Sequence, residues 1–308
     1  MSPHIEQIAG VDVFRIENNP GVHWDDVIRS RESLNDVPVR VYKDRVDASG
    51  VFSNKQLRVA LDIGHIICDP LPTTEVNGSS VDVRLGNYFY LAGNPRNIRG
   101  ILQSFDEQDT HRYFGKAKEA KAARIVIKKA LENLGYLIES GTINEQQYAR
   151  RREYIHDTDE IKNLDPDHPI ILLRPNERIL AHTQEFIGIK SPGTTSMQTR
   201  STIGRIGVAT CFCAGWGDPG YVNRWTMEIN NLNEFEYIPI ALGQRVAQIV
   251  FSGTGPVEGE YSVDTGKYQL SSSDDIDSIK AEWTPDMILP RQHKDIAELE
   301  TWRRAHTE

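Results

Sequence analysis

Cysteine is scarce in this chain of 308 residues: Cys68, Cys211 and Cys213 are its whole complement. Three thiols make no disulfide framework, so a cytoplasmic setting is expected. No apolar run approaches the ~20 residues of a bilayer-spanning helix, and no membrane association is expected. The opening "MSPHIEQIAG" lacks the basic start and apolar stretch of a signal peptide. Excess positive charge is missing too, since 35 Lys and Arg stand against 44 Asp and Glu, a formal charge of -9. That sets aside a general nucleic-acid binder but leaves room for a local basic pocket that takes a phosphorylated small molecule. Cys211 and Cys213 hint at a metal, because on an alternating strand both thiols face one side. Two thiols are too few for a closed zinc site and no nearby His completes one, so they are expected to be small side chains of a packed strand.

What is present suffices for one sizeable core, at 39% hydrophobic residues. In residues 1–50 the runs "VDVFRI" and "VPVRVYKDRV" suggest short strands, with no recognisable chemistry. "SNKQLRVALDIG" suggests a helix with Ser53 as N-cap, Leu57, Ala60 and Leu61 on one face, and Gly64 as terminator. "SSVDVRLGNYFYLAG" alternates and is expected to be a strand pair. The apolar spacing of "KAKEAKAARIVIKKALENLGYLI" is helical, through Ala120, Ala123, Ile127, Ala130, Leu131 and Leu134. "TINEQQYARRREYI", with Thr142 and Glu145 as a capping box, completes a helical hairpin inserted at about residues 104–163. From Pro169 to about Gln269, short strands punctuated by Gly, Pro and Asn favour a barrel or sandwich. Residues 271–308 suggest two short helices around the break "TPDMILPR".

Four stretches in the β region bear chemistry. In "TRSTIGR", Arg200, Ser201 and Arg205 lie in or beside a turn, a combination suited to phosphate. In "AGWGDPG", Ala214, Gly215, Asp218 and Gly220 form a loop where backbone can approach a ligand. In "RWTMEI", Glu228 faces away from Trp225, Met227 and Ile229. It is solvated there, unless another subunit covers that face and makes it a shielded carboxylate able to act as a base. "EYSVDTGKYQ" offers Tyr261, Lys267, Tyr268 and Gln269 beside Gly266.

Taken in order, "SSVDVRLG", "TRSTIGRIGV", "AGWGDPGYVNRWTMEI", "ALGQRVAQIVF" and "GKYQ" resemble the successive motifs of dCTP deaminases, in the dUTPase-like superfamily. The likeness covers roughly Val51 to Gly93 and Pro169 to Gln269, about half the chain. It implies a mainly β fold, a dUTPase-like β-clip barrel over residues 51–270. The helical hairpin would be an insertion, residues 1–50 an N-terminal extension, and residues 271–308 a helical tail. It also implies a homotrimer with nucleotide sites between subunits. Glu228 would then be the general base, with Arg205, Ser201 and Asp218 beside it in the catalytic set. Arg200, Ser201, Ala214, Gly215, Asp218, Gln248, Tyr261, Lys267 and Gln269 would bind dCTP or dUTP. Mg²⁺ would ride on the triphosphate, and dTTP would inhibit. The His/Cys-x-Glu and Pro-Cys-x-x-Cys pieces of zinc deaminases are missing, so no zinc is expected.

The sequence departs from the common pattern at several places. Thr199 replaces a glycine, Thr202 a serine, Gly217 an aliphatic residue, Asn223 a glycine, and Cys213 a common threonine near the base pocket. "AGW" stands where single-function deaminases have "AHR". It looks more like bifunctional enzymes that carry dUTP on to dUMP and pyrophosphate, and Asp218 matches their shared aspartate. Three readings stay open: a deaminase that releases dUTP, a bifunctional enzyme, and a non-catalytic nucleotide-binding trimer.

Overall fold

The computed structural model describes residues 5–16, 23–71, 76, 78–92, 100–139, 146, 160–258, 261 and 266–307. Strands β1 (Ile5–Ile8) and β2 (Val11–Arg15) form a hairpin, its tight turn made by Ala9 and Gly10, both at positive φ. After α1 (Trp24–Arg29), β3 (Val39–Tyr42) pairs parallel to β2, and β4 (Arg45–Val46) closes the four-stranded sheet. Alternate residues Val11, Val13, Val39 and Val41 are buried in the same core as the following helix, so the N-terminal strands share the main core.

After β5 (Gly50–Val51) comes α2 (Asn54–Asp62), held at its start by the expected Ser53. The Ser53 hydroxyl accepts from Gln56 N–H at 3.3 Å, and Gln56 Oε1 accepts from Ser53 N–H at 2.9 Å, a full capping box. Gly64, at φ +72, turns the chain into β6 (Ile66–Asp69).

The stretch expected to be a strand pair is one continuous strand, β7 (Ser80–Leu91). Gly86, in the middle of this strand, makes room, because a Cβ there would overlap the imidazole of His182. The pairing skips at that point, Thr183 lying opposite Leu85 but Ala181 opposite Phe89, and the His182 ring fills the notch.

The inserted helix is also shorter than its periodicity suggests. After α3 (Glu107–Phe114) the chain forms β8 (Lys118–Glu119) and β9 (Lys121–Ala122), and α4 runs only over Ala123–Glu139. The backbone of "KEAKA" is used by sheets, β8 pairing with β7 and β9 with Pro169–Leu173, which overrides its helix propensity. The second helix of the hairpin, with Thr142 and Glu145, lies outside the described residues.

The β region follows as β10 (Pro169–Leu173), β11 (Arg178–Ile189), β12 (Thr194–Thr199), the one-turn helix α5 (Ser201–Arg205) and β13 (Val208–Ala209). It continues with β14 (Trp216–Gly217), β15 (Val222–Asn231), β16 (Ile238–Ala241) and β17 (Arg245–Gly253). A curled ten-stranded sheet runs β13-β15-β11-β7-β17-β12-β14, with β5, β6 and β8 on its margins, and β16-β10-β9 make a smaller sheet. Cys211 and Cys213 lie in the loop between β13 and β14 rather than on a strand, because the ladder of β13 ends after Ala209. The inner face of the large sheet is the core: Val81, Val83, Ile179, Trp225, Met227, Ile229, Ile249 and Phe251 are all buried.

The tail has the expected helices, α6 (Ile276–Glu282) and α7 (Ile296–Thr307), with a 3-10 turn at Pro285–Ile288 between them. Ile279 packs with Phe186 and Val222, and Trp283 lies 4.7 Å from the His182 ring. Among the described residues no helix is long and apolar enough to cross a membrane.

Candidate active site

The alternation of β15 decides where its carboxylate goes. Trp225, Met227 and Ile229 are buried in the core, so Glu228 points from the opposite face, with its side chain 20% exposed. On that face Glu228 Oε2 accepts two hydrogen bonds from Cys213, one from the backbone N–H and one from the thiol, each at 3.3 Å. Arg178, which opens β11 across from Asn230, brings Nη2 to 4.0 Å from Glu228 Oε1. Glu228 pushes the Cys213 thiol pKa up, through the hydrogen bond first and its charge second. Cys211 is pushed up to about 11, mainly by burial. Neither thiol is therefore poised as a thiolate at neutral pH.

The loop carrying Cys213 is pinned on both sides. The Thr199 hydroxyl accepts from the N–H groups of Thr210 at 3.0 Å and Cys211 at 3.4 Å. Beyond Cys213, Gly215 O accepts from Met197 N–H at 2.7 Å. The loop thus ties the end of β12 to the outer face of β15 and helps the sheet curl. Thr199, a departure from the usual glycine, supplies the oxygen that fixes it. Gly217, another departure, is explained by its neighbour, since a Cβ there would overlap the Trp225 ring and the Thr195 hydroxyl.

The other expected residues fall into separate groups. Ser201 and Arg205 are exposed on α5, which is anchored by buried Ile203. Neither is among the polar partners of Glu228 within this chain. On the outer face of β17, Gln248 lies in register between Gln198 and Asp82. Asp82 holds two arginines there, Arg200 at 3.3 Å and Arg245 at 3.0 Å, a cluster of net charge +1. Asp218 and Gly220 make a turn closed by Tyr221 N–H to Asp218 O at 3.0 Å, with Pro219 and Gly220 (φ +89) at its centre and the Asp218 side chain exposed.

Tyr261 packs edge-on against Tyr221, which itself meets Trp225 edge-on. Its hydroxyl accepts from Tyr268 N–H at 3.1 Å, and burial raises its pKa. Lys267 is ion-paired with Asp295 of the tail, whose hydrogen bond raises the lysine's pKa. Gln269 is buried and accepts from Val222 N–H at 3.4 Å. Ala214 is exposed beside Cys213.

Pattern reading did not single out Arg178, Asp82 or Arg245. Strand alternation placed each on an outer face, but their partners come from strands distant in sequence. A cleft of about 1260 Å³ opens elsewhere, between the N-terminal sheet and residues 253–257, and Glu228 does not line it.

The family model described as dCTP deaminase-like matches residues 143–254, a span that holds Glu228, Arg205, Ser201, Asp218 and Gln248. A protein of Methanobrevibacter smithii named "dCTP deaminase, dUMP-forming" is 29% identical over 215 residues, covering 68% of this chain and 84% of its own. A Methanosphaera stadtmanae protein of the same name is 28% identical over 239 residues, covering 76% and 95%. One from Methanopyrus kandleri, again so named, is 38% identical over 109 residues, covering 34% of this chain and 54% of its own. Over residues 143–254 the chain is therefore similar to the dCTP deaminase-like family, and over a longer span to proteins named "dCTP deaminase, dUMP-forming".

Proposed function

We propose that this protein deaminates dCTP and carries the product on to dUMP and pyrophosphate. The observation that carries the reading is Glu228. It is a carboxylate on the outer face of β15, held by two donors from Cys213 beside Arg178, inside the segment matched to the family. Glu228 takes a proton from a water whose oxygen attacks carbon 4 of cytosine. The tetrahedral adduct collapses when Glu228 returns that proton to the exocyclic nitrogen, which leaves as ammonia. The balance is dCTP plus water to dUTP plus ammonia. A second water then gives dUMP plus pyrophosphate, with Asp218 proposed as the carboxylate of that step. The "AGW" run and the printed names of the relatives support the two-step reading over release of dUTP.

Arg205 and Ser201 are proposed to line the base pocket, and Ala214 and Gly215 to approach it with backbone. Arg200, Gln248, Tyr261, Lys267 and Gln269 are proposed for the sugar and phosphates. In one protomer Arg205 and Ser201 are not in contact with Glu228, and a homotrimer with sites between subunits would supply them from a neighbour. Exposed Ile206, Phe212, Trp216, Leu232 and Phe235 around this region support burial against another copy. Mg²⁺ would be held by the triphosphate oxygens, where it offsets phosphate charge. Among the described residues no three His, Cys, Asp or Glu side chains converge to cage a metal. dTTP, close in shape to the product, is proposed as a competing inhibitor, and the working compartment as the cytoplasm.

The test is incubation with dCTP and Mg²⁺, resolving dUTP, dUMP, ammonia and pyrophosphate, with the mass in solution measured by light scattering. The wild type gives ammonia, dUMP and pyrophosphate at three chain masses. Glu228→Gln loses deamination by roughly 10²–10⁴-fold and keeps dUTP hydrolysis, whereas Asp218→Asn accumulates dUTP. No turnover of either nucleotide by the wild type rejects the enzymatic reading.

A further inference from the structure

Cys213 is exposed, so it does not fill the core, yet its two donors both reach one oxygen of Glu228. We propose that Cys213 is a positioning residue for the candidate base, fixing Glu228 Oε2 so that Oε1 alone exchanges protons with water and substrate. The inference rests on the reading of Glu228 given above and names what holds that carboxylate in place.

The loop geometry makes this holding rigid. With Thr210 and Cys211 fixed to Thr199 on one side and Gly215 fixed to Met197 on the other, the N–H of Cys213 has little freedom to turn away. The thiol adds a second donor from the same residue, and its raised pKa keeps its proton in place. Oε1 is left facing Arg178 at 4.0 Å and the open side of the sheet. The proposed reaction asks one carboxyl group to take a proton from water and then give it to the departing nitrogen. A carboxyl pinned at one oxygen does both from the other oxygen without rotating between steps, which preserves alignment through the adduct. A hydroxyl at position 213 can donate in the same way, so threonine and cysteine are alternative solutions to one geometric demand. Alanine keeps the backbone donor and loses the side-chain one.

The experiment compares wild type with Cys213→Ala, Cys213→Ser and Glu228→Gln on dCTP. Cys213→Ala is expected to lower the deamination kcat roughly five- to tenfold, the scale of one ordinary hydrogen bond, because a thiol is a weak donor. Its KM for dCTP stays within about twofold, since the thiol touches the base and not the ligand. Cys213→Ser recovers most of the rate. Methyl methanethiosulfonate, which caps the exposed thiol as a mixed disulfide and releases methanesulfinic acid, slows the wild type until dithiothreitol restores it. It leaves Cys213→Ala unaffected. Wild-type kcat in Cys213→Ala, or no recovery in Cys213→Ser, overturns the proposal while an inactive Glu228→Gln leaves the reading of the base standing. A fully active Glu228→Gln removes that reading itself.

Discussion

Gly86 lies under the His182 ring with no space for a methyl group, although its backbone is not in the left-handed region. The ring is fixed from both nitrogens: Nε2 accepts from Tyr88 N–H at 3.2 Å, so Nδ1 carries the proton and donates to Thr183 O at 2.7 Å. Gly86→Ala therefore forces either the strand or the imidazole to move. It is expected to destabilise by about 1–3 kcal/mol, the usual range for overpacking, read as a lower urea midpoint at unchanged slope. Combining it with His182→Ala, which empties the space, should cost less than the sum of the two single changes. Strict additivity would mean that the two residues do not compete for one volume. Gly217 and Trp225 show the same logic in a position that departs from the family pattern. The large ring on β15 takes the room that an aliphatic side chain would use on β14.

At the scale of elements, the tail divides into a structural part and an exposed part. Trp283 covers His182, meets Phe186 edge-on, and packs with it against the Arg224 guanidinium, at 4.5 and 4.6 Å from the two rings. Every side chain of α7 is exposed along the whole helix, and none is buried. Removing residues 296–308 should leave unfolding stability within about 0.5 kcal/mol. Trp283→Ala should cost about 3 kcal/mol, as large aromatic truncations do. Equal losses in a thermal or urea melt would contradict this division. How far such elements can be read from the chain depends on where their partners lie. The α2 cap was legible because Ser53 and Gln56 are three residues apart and satisfy each other. The outward face of Glu228 was legible because alternation is local. The continuity of β7 was not, because the reason for Gly86 is His182, almost a hundred positions away. The start of α4 and the loop around Cys213 were hidden for the same cause: distant strands claim, or fail to claim, their backbone groups. The candidate site was readable as a set of motifs, while its electrostatic partners Arg178, Asp82 and Arg245 came only with strand register.

For the molecule as a whole, two buried histidines tie stability to pH. Burial lowers His65 and His182 each from 6.5 to about 4, and Arg45 and Arg224 respectively oppose their protonation further. In the folded chain both stay neutral down to about pH 4, whereas in the unfolded chain they take up protons below about pH 6.5. Between those limits the unfolded state binds more protons, so folding stability falls as pH falls. It is fully present above pH 6.5, and the contribution of these groups is lost by about pH 4. The slope reaches at most about 1.4 kcal/mol per pH unit for each histidine. Urea unfolding at pH 7.5, 6.5, 5.5 and 4.5 should show this decline, and His182→Asn, which takes up no proton, should lose about half of the slope whatever its own stability. A flat profile from 6.5 to 4.5 would mean that these rings are solvated or already charged in the native state. The consequence reaches the candidate site, because His182 lies in β11, the strand paired with the one that carries Glu228. Acid therefore loosens the scaffold that positions the candidate site. Only a loss of dCTP turnover in Cys213→Ala that appears while the urea midpoint of the same variant stays at the wild-type value belongs to the site, and a loss that follows the midpoint belongs to the fold.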